Sequence, residues 1–349
     1  MASYDDKTLK RIPLMLPPRE KEHVLIMQDE TIFHTNEYRR RVWLADGQQP
    51  IRKKGGGRAI HVSDFICETI GCLKLSQDQI HAQHKLPPEL RLPAFEARKI
   101  TYPGKGFDPW WDLTQLIKQV KTSISIFEYT HPGCIGVFVF DRSSAHGGFA
   151  EDALNINSMN IHHGGKQKRL RSTIIPLNNP DPPPGEEDTR GQVQHMCFPE
   201  DHENPAFRGQ PKGIKFVLME RKSIWAKYTK ICKERGHGTK LVGKCGTCTK
   251  SQTRKDTECR VAKIEEEKQQ EDNAPMDEEA PPETDTPSAA VDKWCCMYRL
   301  LSLQEDFLTE KPMIQSIIEN AGHVCLFLPR FHCELNPIEM LWGYAKHRA

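Results

Sequence analysis

One stretch near the end of the chain, residues 322–343, most constrains the fold because it combines a strand, a turn and a helix. Its first apolar residues are typical of a short buried strand, and a helix is expected to begin at the Asn-Pro pair at 336–337. Proline suits the first helical position, where its missing N–H had no partner. Glu339 falls in the first turn, where an acid complements the helix dipole. Alone, the pattern favours a capped amphipathic helix that buries Leu341 and Trp342.

Two other apolar segments of strand length end in an aspartate. They cover residues 23–29 and 136–141, and they end at Asp29 and Asp141. Continuous apolar runs of this length are typical of central strands that are buried on both faces. Taken singly, each aspartate fits an ordinary turn residue at the end of a strand.

A helix is expected between these two strands. Asp108 is a favoured N-cap residue and Pro109 a favoured first residue, and apolar residues at helical spacing follow them. We interpret the tryptophans at 110 and 111 as packing residues rather than as a platform for stacking bases. A strand, a helical crossover and a second strand predict an α/β fold with a mixed sheet flanked by helices.

Further segments complete the expected sheet. Residues 39–44 and 59–66 are predicted strands, and the basic, glycine-rich segment 52–58 between them is predicted to be a flexible hairpin loop that could follow a phosphate backbone. This segment lacks the Gly-Lys-Ser/Thr ending of a nucleotide-binding loop. Residues 76–107 are expected to be irregular, and a second helix is expected near residues 313–321.

The composition excludes several classes of protein. Hydrophobic residues make up 37% and charged residues 28% of the 349, as in an ordinary globular protein. The longest apolar runs are too short to cross a bilayer, so no membrane partner is expected. The N-terminus has no signal-peptide core. The 12 cysteines are therefore expected to be thiols or metal ligands rather than disulfides.

Charge is distributed unevenly although the net charge is only +2. Residues 208–260 hold 15 Lys and Arg against 4 acids, a net of +11, whereas residues 262–290 hold 10 acids against 2 Lys, a net of −8. The basic segment is a candidate for phosphate contacts, or a solvated face that the acidic segment balances. The acidic segment is poor in apolar residues, and its later half is predicted to be disordered.

The basic segment also contains a candidate zinc knuckle, Cys245-Gly-Thr-Cys248. Tetrahedral zinc requires two further ligands, and no second Cys-x-x-Cys supplies them. Thioredoxin-like chemistry is not favoured because no strand-to-helix transition surrounds the pair. The remaining ligands stay open among Cys232, His237, Cys259, Cys295 and Cys296.

The main chemical hypothesis unites Asp29, Asp141 and Glu339. In open α/β sheets, sites gather beyond the carboxyl ends of the strands. Two carboxylates about 4 Å apart repel by roughly 4 kcal/mol at an effective dielectric near 20, and divalent cations relieve such repulsion. Two Mg²⁺ or Mn²⁺ ions on these acids could support phosphodiester hydrolysis and strand transfer.

Four short blocks extend this hypothesis: Gln28-Asp29-Glu30-Thr31; Val42-Trp43 with Lys54-Gly55-Gly56-Gly57; Phe140-Asp141-Arg142-Ser143-Ser144-Ala145-His146; and Leu328-Pro329 with Glu334-Leu335-Asn336-Pro337-Ile338-Glu339 and Leu341-Trp342-Gly343. Together they resemble the DDE transposases of the mariner-like superfamily, which typically write the last block as Ser-Pro-Asp-Leu-Asn-Pro-Ile-Glu. The resemblance implies an RNase H-like fold in which Asp29, Asp141 and Glu339 are the metal-binding catalytic acids. His146 matches a histidine common in the family, and a packed loop histidine is an equal alternative.

Two departures from the family bear on the expected domain organisation. The second and third acids are 198 positions apart, whereas the family separates them by a few tens, so an insertion is expected between them. Residues 1–22 are too few for the helix-turn-helix domain through which family members bind transposon ends. We therefore expect an N-terminal arm at 1–22, the first part of the catalytic domain at 23–175, an insertion at 176–293, and the C-terminal part of the domain at 294–349.

The resemblance implies a nuclear DNA endonuclease that uses two Mg²⁺ or Mn²⁺ ions, with DNA as its partner. A homodimer is a further expectation, and zinc at Cys245 and Cys248 is a separate one. The alternative function is a catalytically inactive transposase remnant that binds DNA through its basic insertion.

Overall fold

A computed structural model gives the fold of the chain. The residues it describes are 3–8, 11–12, 15–17, 19–36, 55–143, 145–236, 241–250, 293–329 and 332–348. The chain divides into two compact units. Unit 1 comprises Met1–Gly148 and Lys311–Ala349, and unit 2 comprises Phe149–Glu310.

Unit 1 is built on a six-stranded mixed sheet. A separate two-stranded hairpin, β1 (Ser3–Tyr4) and β2 (Arg11–Ile12), precedes it in the sequence. The strands of the sheet are β3 (His23–His34), β4 (Ala59–Cys67), β5 (Gly71–Cys72), β6 (Lys99–Thr101), β7 (Ile135–Phe140) and a later strand at Val324–Phe327.

The order of the strands explains why the sheet is mixed. The strand Val324–Phe327 pairs in parallel with β7, and β7 pairs in parallel with β3. On its other side β3 pairs antiparallel with β4, which also pairs with β5 and β6. The predicted α/β fold with a mixed sheet flanked by helices is confirmed.

The helices of unit 1 cover both faces of this sheet. On one face, Leu116 and Ile314 belong to a core that also contains Phe65 of β4. On the other face, Ile338 and Trp342 pack against Val62, whose side chain points away from that of Phe65 because strand residues alternate. The helices are α1 (Gln77–Lys85), α2 (Leu113–Thr130), one at Met313–Asn320 and one at Ile338–Arg348, with 3₁₀ turns at Pro88–Leu90 and Cys333–Leu335.

The regular elements that the structure describes in unit 2 are mainly helices, and unit 2 has its own core. Leu218, Tyr228 and Leu301 are buried in it. Its elements are a 3₁₀ turn at Ile156–Ser158, the paired strands β8 (Thr173–Ile174) and β9 (Val193–Gln194), and the helices α3 (Ile214–Glu220), α4 (Lys222–Glu234), α5 (Met297–Ser302) and α6 (Glu305–Leu308). The helices at Met313–Asn320 and Ile338–Arg348 in unit 1 are then α7 and α8, and the strand at Val324–Phe327 is β10.

Most local predictions at the end of the chain are confirmed. Helix α7 ends at Asn320, and Gly322 follows with φ +83°, which favours glycine at a helix end. Strand β10 and helix α8 follow in the predicted order, with Glu339 in the first turn of α8. Trp342 is buried as expected, whereas Leu341 is exposed.

Other local predictions are wrong. Strand β3 does not end at Asp29 but continues to His34, because β4 pairs with it over this whole length. Helix α2 begins at Leu113 rather than at Pro109, since Asp112 is the N-cap. The interpretation of Trp110 as a packing residue is wrong as well, because its side chain lies outside the core and is 64% exposed. Residues 76–107 are not irregular: they contain α1, which a capping box at Ser76 starts, and β6.

Some expectations concern residues outside the described ranges. They are the strand at 39–44, residues 52–54 of the basic loop, and the acidic segment 262–290. The four-part division of the chain at residues 22, 175 and 293 stays a prediction. Among the described residues, no helix combines the length and the apolar character needed to cross a membrane.

Candidate active site

Asp29 and Asp141 are brought to the same level by the parallel pairing of β3 with β7. The last paired residues are Met27 and Val139, so each aspartate lies two positions further along its own strand direction. Asp29 continues within β3, whereas Asp141 directly follows the last residue of β7. The two acids therefore lie on neighbouring segments of the chain, at one end of the paired strands β3 and β7.

Glu339 reaches this position because α8 is anchored on the central strand. The amide of Asn336 donates a 3.0 Å hydrogen bond to the backbone oxygen of Gln28, the residue before Asp29. Ile338 is fully buried against the sheet, and the indole nitrogen of Trp342 donates a 3.0 Å hydrogen bond to Asp29. These contacts place Glu339, between Ile338 and Trp342 in the helix, beside the two aspartates.

The electrostatics show that the three acids interact. Burial raises the pKa of Asp29 well above its ordinary value, and the negative charges of Glu339 and Asp141 raise it further. Desolvation also raises the pKa of Glu339, which feels the charge of Asp141, although the positive charge of Lys346 opposes this. Asp29 therefore feels the negative charge of both other acids, and Glu339 feels that of Asp141.

The side chain of His146 contacts Asp141, the second of the two aspartates. Its Nδ1 atom makes a short contact with Oδ1 of Asp141, and its Nε2 atom lies 3.6 Å from the Glu30 carboxylate. Burial opposes protonation of the ring, but hydrogen bonding and charge from both carboxylates raise the pKa of His146 to about 10. His146 is therefore a cation that holds Asp141 in place. The same contact outweighs burial and lowers the pKa of Asp141.

Glu30 is a member of the site that the sequence reasoning missed. It follows Asp29 on β3, so its side chain points to the face of the sheet opposite to that of the Asp29 side chain. The indole nitrogen of Trp111 donates a 2.8 Å hydrogen bond to its carboxylate. Burial acts against ionisation, but His146 and Trp111 lower the pKa of Glu30. The sequence shows that Glu30 follows Asp29. It does not show that Glu30 contacts Trp111 and His146, which lie 81 and 116 positions later.

A buried polar chain fixes β3 and β4 under the site. The side-chain amide of Gln28 donates to the Ser63 hydroxyl at 3.0 Å, and Ser63 donates to Gln119 of α2 at 2.8 Å. Gln119 in turn donates to the backbone oxygens of Ser63 and Ala97. Buried and paired in this way, these groups give β3 one register relative to α2.

Asp64 is a further carboxylate on the sheet, directly opposite Asp29 in the pairing of β3 with β4. Unlike Asp29, it has a cationic partner, because Arg98 Nε lies 2.7 Å from its Oδ2 atom. Burial nevertheless raises the pKa of Asp64, against the effect of Arg98. Asp64 is thus balanced by a side chain of the protein, whereas Asp29 faces two other acids.

The donor set of Asp29, Asp141 and Glu339 fits a divalent metal ion of the magnesium type. Carboxylate oxygens are the ligands that Mg²⁺ prefers, and it uses only a few of them.

The structure also places the two cysteines of the predicted zinc knuckle. Cys245 and Cys248 lie in unit 2 beside Cys295 and Cys296, and one sulfur atom from each lies within 4.8 Å of all the others. The other open ligands, His237 and Cys259, are outside the described residues, and Cys232 is buried in the core of unit 2.

Comparisons with known proteins add one structural match. No protein family and no curated protein matches the sequence. Among solved structures, the chain is similar to the crystal structure of the mariner Mos1 paired end complex with Mg, at 12% sequence identity and a TM-score of 0.21. The match covers 36% of this chain and 30% of that chain.

Proposed function

We propose that unit 1 is the catalytic domain of a transposase-derived DNA endonuclease with an RNase H-like fold. The observation that carries the proposal is the convergence of three acids from two neighbouring strands and a packed helix. They are Asp29, Asp141 and Glu339, which lie 112 and 198 positions apart in the sequence. Their mutual electrostatic interaction supports a cation-binding role rather than three separate turn or capping residues.

Magnesium or manganese is the cofactor in this proposal, with Asp29, Asp141 and Glu339 as its protein ligands. When bound, two such ions supply activation of the attacking hydroxyl group and stabilisation of the leaving oxygen in phosphodiester cleavage. The roles of the surrounding residues follow from their contacts. Trp342 orients Asp29 through its hydrogen bond, and the cationic His146 orients Asp141.

DNA is the proposed substrate, and a nuclear location is proposed with it. The support is the sequence resemblance of the acid-bearing blocks together with the basic segment 208–260. In the described part of that segment, α4 carries exposed lysines at 227, 230 and 233, which suit sequence-independent contacts with phosphates. The proposal also treats the residues between Asp141 and Glu339 as an insertion relative to the transposases, and a homodimer remains part of it.

A plasmid-nicking assay tests the activity. The purified full-length chain is incubated with supercoiled plasmid and Mg²⁺ or Mn²⁺, with chelator in a parallel reaction. Asp141→Asn keeps the shape of the side chain but removes the charge, and Asp201→Asn makes the same change at an exposed aspartate of unit 2. We expect metal-dependent nicking by the wild type and the Asp201→Asn variant, and none by the Asp141→Asn variant.

Two outcomes would contradict the proposal. Equal nicking by the Asp141→Asn variant would place the activity elsewhere. DNA binding without nicking, with either metal, would favour the alternative function of an inactive transposase remnant that binds DNA.

A further inference from the structure

Four cysteine sulfurs of unit 2 form a compact cluster. The Sγ atom of Cys295 lies 3.7 Å from that of Cys245 and 3.6 Å from that of Cys248. The Sγ atom of Cys296 lies 3.8 Å from that of Cys295 and 3.7 Å from that of Cys248. Two segments that are distant in sequence thus contribute two thiols each.

These distances match the edges of a metal-centred tetrahedron. With Zn–S bonds of about 2.3 Å, adjacent sulfurs of a tetrahedral zinc site are about 3.8 Å apart. A disulfide would require sulfurs about 2.05 Å apart. All four measured separations agree with the tetrahedral edge, so the cluster has the dimensions of a four-thiolate zinc site.

The local backbone supports thiolates at these positions. The N–H of Cys248 donates to the sulfur of Cys245 at 3.4 Å, and the N–H of Arg299 donates to the sulfur of Cys296 at 3.4 Å. Cys296 is the N-cap of α5, and Cys245 directly precedes the helical residues 246–250. Backbone N–H groups at helix starts stabilise negative charge on sulfur, as in the outer shell of metal sites.

The number of converging thiols, two of them buried, distinguishes this cluster from a redox-active dithiol. Reactive cysteines of Cys-x-x-Cys motifs are partly exposed. Here Cys248 is only 3% exposed and Cys296 is fully buried. Cys245 and Cys295 are partly exposed. Four sulfurs that converge at one point match the complete ligand set of a structural zinc site, whereas a redox-active pair needs only two.

We propose that Cys245, Cys248, Cys295 and Cys296 bind one structural Zn²⁺ ion. The ion would link the segment at residues 245–248 to the segment at residues 295–296 within unit 2. Backbone hydrogen bonds already connect the residues beside these two segments. Met297 N–H donates to the Val242 oxygen, and Tyr298 N–H donates to the Gly243 oxygen, both at 2.9 Å. The Tyr228 hydroxyl donates to the same Val242 oxygen at 3.1 Å, which connects this junction to α4. The inference goes beyond the proposed nuclease activity and does not depend on it.

Zinc content measured by mass spectrometry tests the site in the full-length chain, without any activity assay. The protein is produced with zinc supplementation, desalted, and compared with the Cys248→Ser and Cys296→Ser variants. Cys197→Ser is the matched control, because Cys197 is a free cysteine of unit 2 outside the cluster. We expect one zinc ion per chain in the wild type and in the control. Loss of a ligand should leave the two ligand variants with much less than one zinc ion per chain, because a structural zinc site needs four ligands.

Cobalt titration of the metal-free wild-type chain keeps the proposal testable if a variant fails to fold. A four-thiolate site should show intense sulfur-to-cobalt charge-transfer absorption and the visible bands of tetrahedral cobalt. Zinc-free wild-type protein without a cobalt spectrum would overturn the proposal. So would iron in place of zinc in the purified chain, a disulfide within the cluster under reducing conditions, or equal loss of zinc in the Cys197→Ser control.

Discussion

The indole nitrogen of Trp342 donates a 3.0 Å hydrogen bond to the carboxylate of Asp29, 313 positions earlier in the chain. This hydrogen bond joins α8 to the central strand at the first of the three acids. Asn336 adds a second connection between the same elements through the backbone oxygen of Gln28. The position of Glu339 beside the aspartates therefore depends on how firmly α8 is held on β3.

Replacing Trp342 with phenylalanine tests this anchor. The ring still fills its place, but the buried Asp29 carboxylate no longer has its donor, so the free energy of unfolding should fall by about 1–3 kcal/mol. Metal binding should weaken as well, because Asp29 is less well oriented. Chemical denaturation and Mn²⁺ titration measure the two effects. Trp110→Phe is the control at an exposed indole, with an expected change within about 0.5 kcal/mol.

The charge conflict among the acids leads to a second prediction. In the presence of chelator, Asp29→Asn should stabilise the protein by on the order of 1–4 kcal/mol, because it removes a buried charge that faces Glu339 and Asp141. The amide oxygen can still accept from Trp342. Added Mn²⁺ should raise the melting temperature of the wild type but not that of the variant. Equal metal stabilisation of both proteins would show that Asp29 is not a ligand.

Local sequence signals predicted the positions of Asp141 and Glu339 well. The apolar run of β7 ends where the strand ends, and the Asn-Pro pair marks the start of α8 as expected. The start of α2 was also encoded locally. The capping box of Asp112 and Gln115 makes Asp112, rather than Asp108, the N-cap of α2. The Asp108 carboxylate instead accepts a hydrogen bond from the N–H of Tyr102.

Features that depend on distant pairing could not be predicted in this way. Strand β3 continues past Asp29 because β4 supplies antiparallel partners up to His34, and the apolar pattern of β3 alone does not contain this information. The contacts of Glu30 with Trp111 and His146 likewise exist only in the folded chain. The proximity of Cys295 and Cys296 to Cys245 and Cys248 likewise exists only in the folded chain, because the two residues do not form a second Cys-x-x-Cys motif.

DNA binding should depend strongly on salt and weakly on sequence. The exposed lysines at positions 230 and 233 of α4 belong to a segment with a net charge of +11, and phosphate neutralisation releases counterions. Replacing both with alanine should lower the slope of log affinity against log salt by about 0.9 for each phosphate that the protein no longer neutralises. Fluorescence anisotropy with two unrelated duplexes measures this. Lys118→Ala in α2 removes an exposed lysine of unit 1 as the control.

A buried ion pair should control the stability of unit 2. Arg221 is fully buried and binds Asp306 through two hydrogen bonds, at 3.0 and 2.6 Å. Asp306→Asn leaves the guanidinium without its counter-charge and should cost about 3–5 kcal/mol. Amide hydrogen exchange in α3 and α4 should accelerate accordingly. Asp188→Asn breaks an exposed pair with Arg190 and should change exchange in these helices little.

The last prediction concerns the acidic segment 262–290, which lies between the two halves of the cysteine cluster. Replacing it with a short Gly/Ser linker should leave the main melting transition of the sheet unchanged, because its composition offers few apolar residues to a core. The ends of the surrounding segment are held at Cys248 and Cys295. Halving the length of the intervening chain should therefore stabilise unit 2 by only about 0.6 kcal/mol. Calorimetry of the two proteins with zinc present measures both quantities. Loss of the cooperative transition would show instead that residues 262–290 pack into the folded structure.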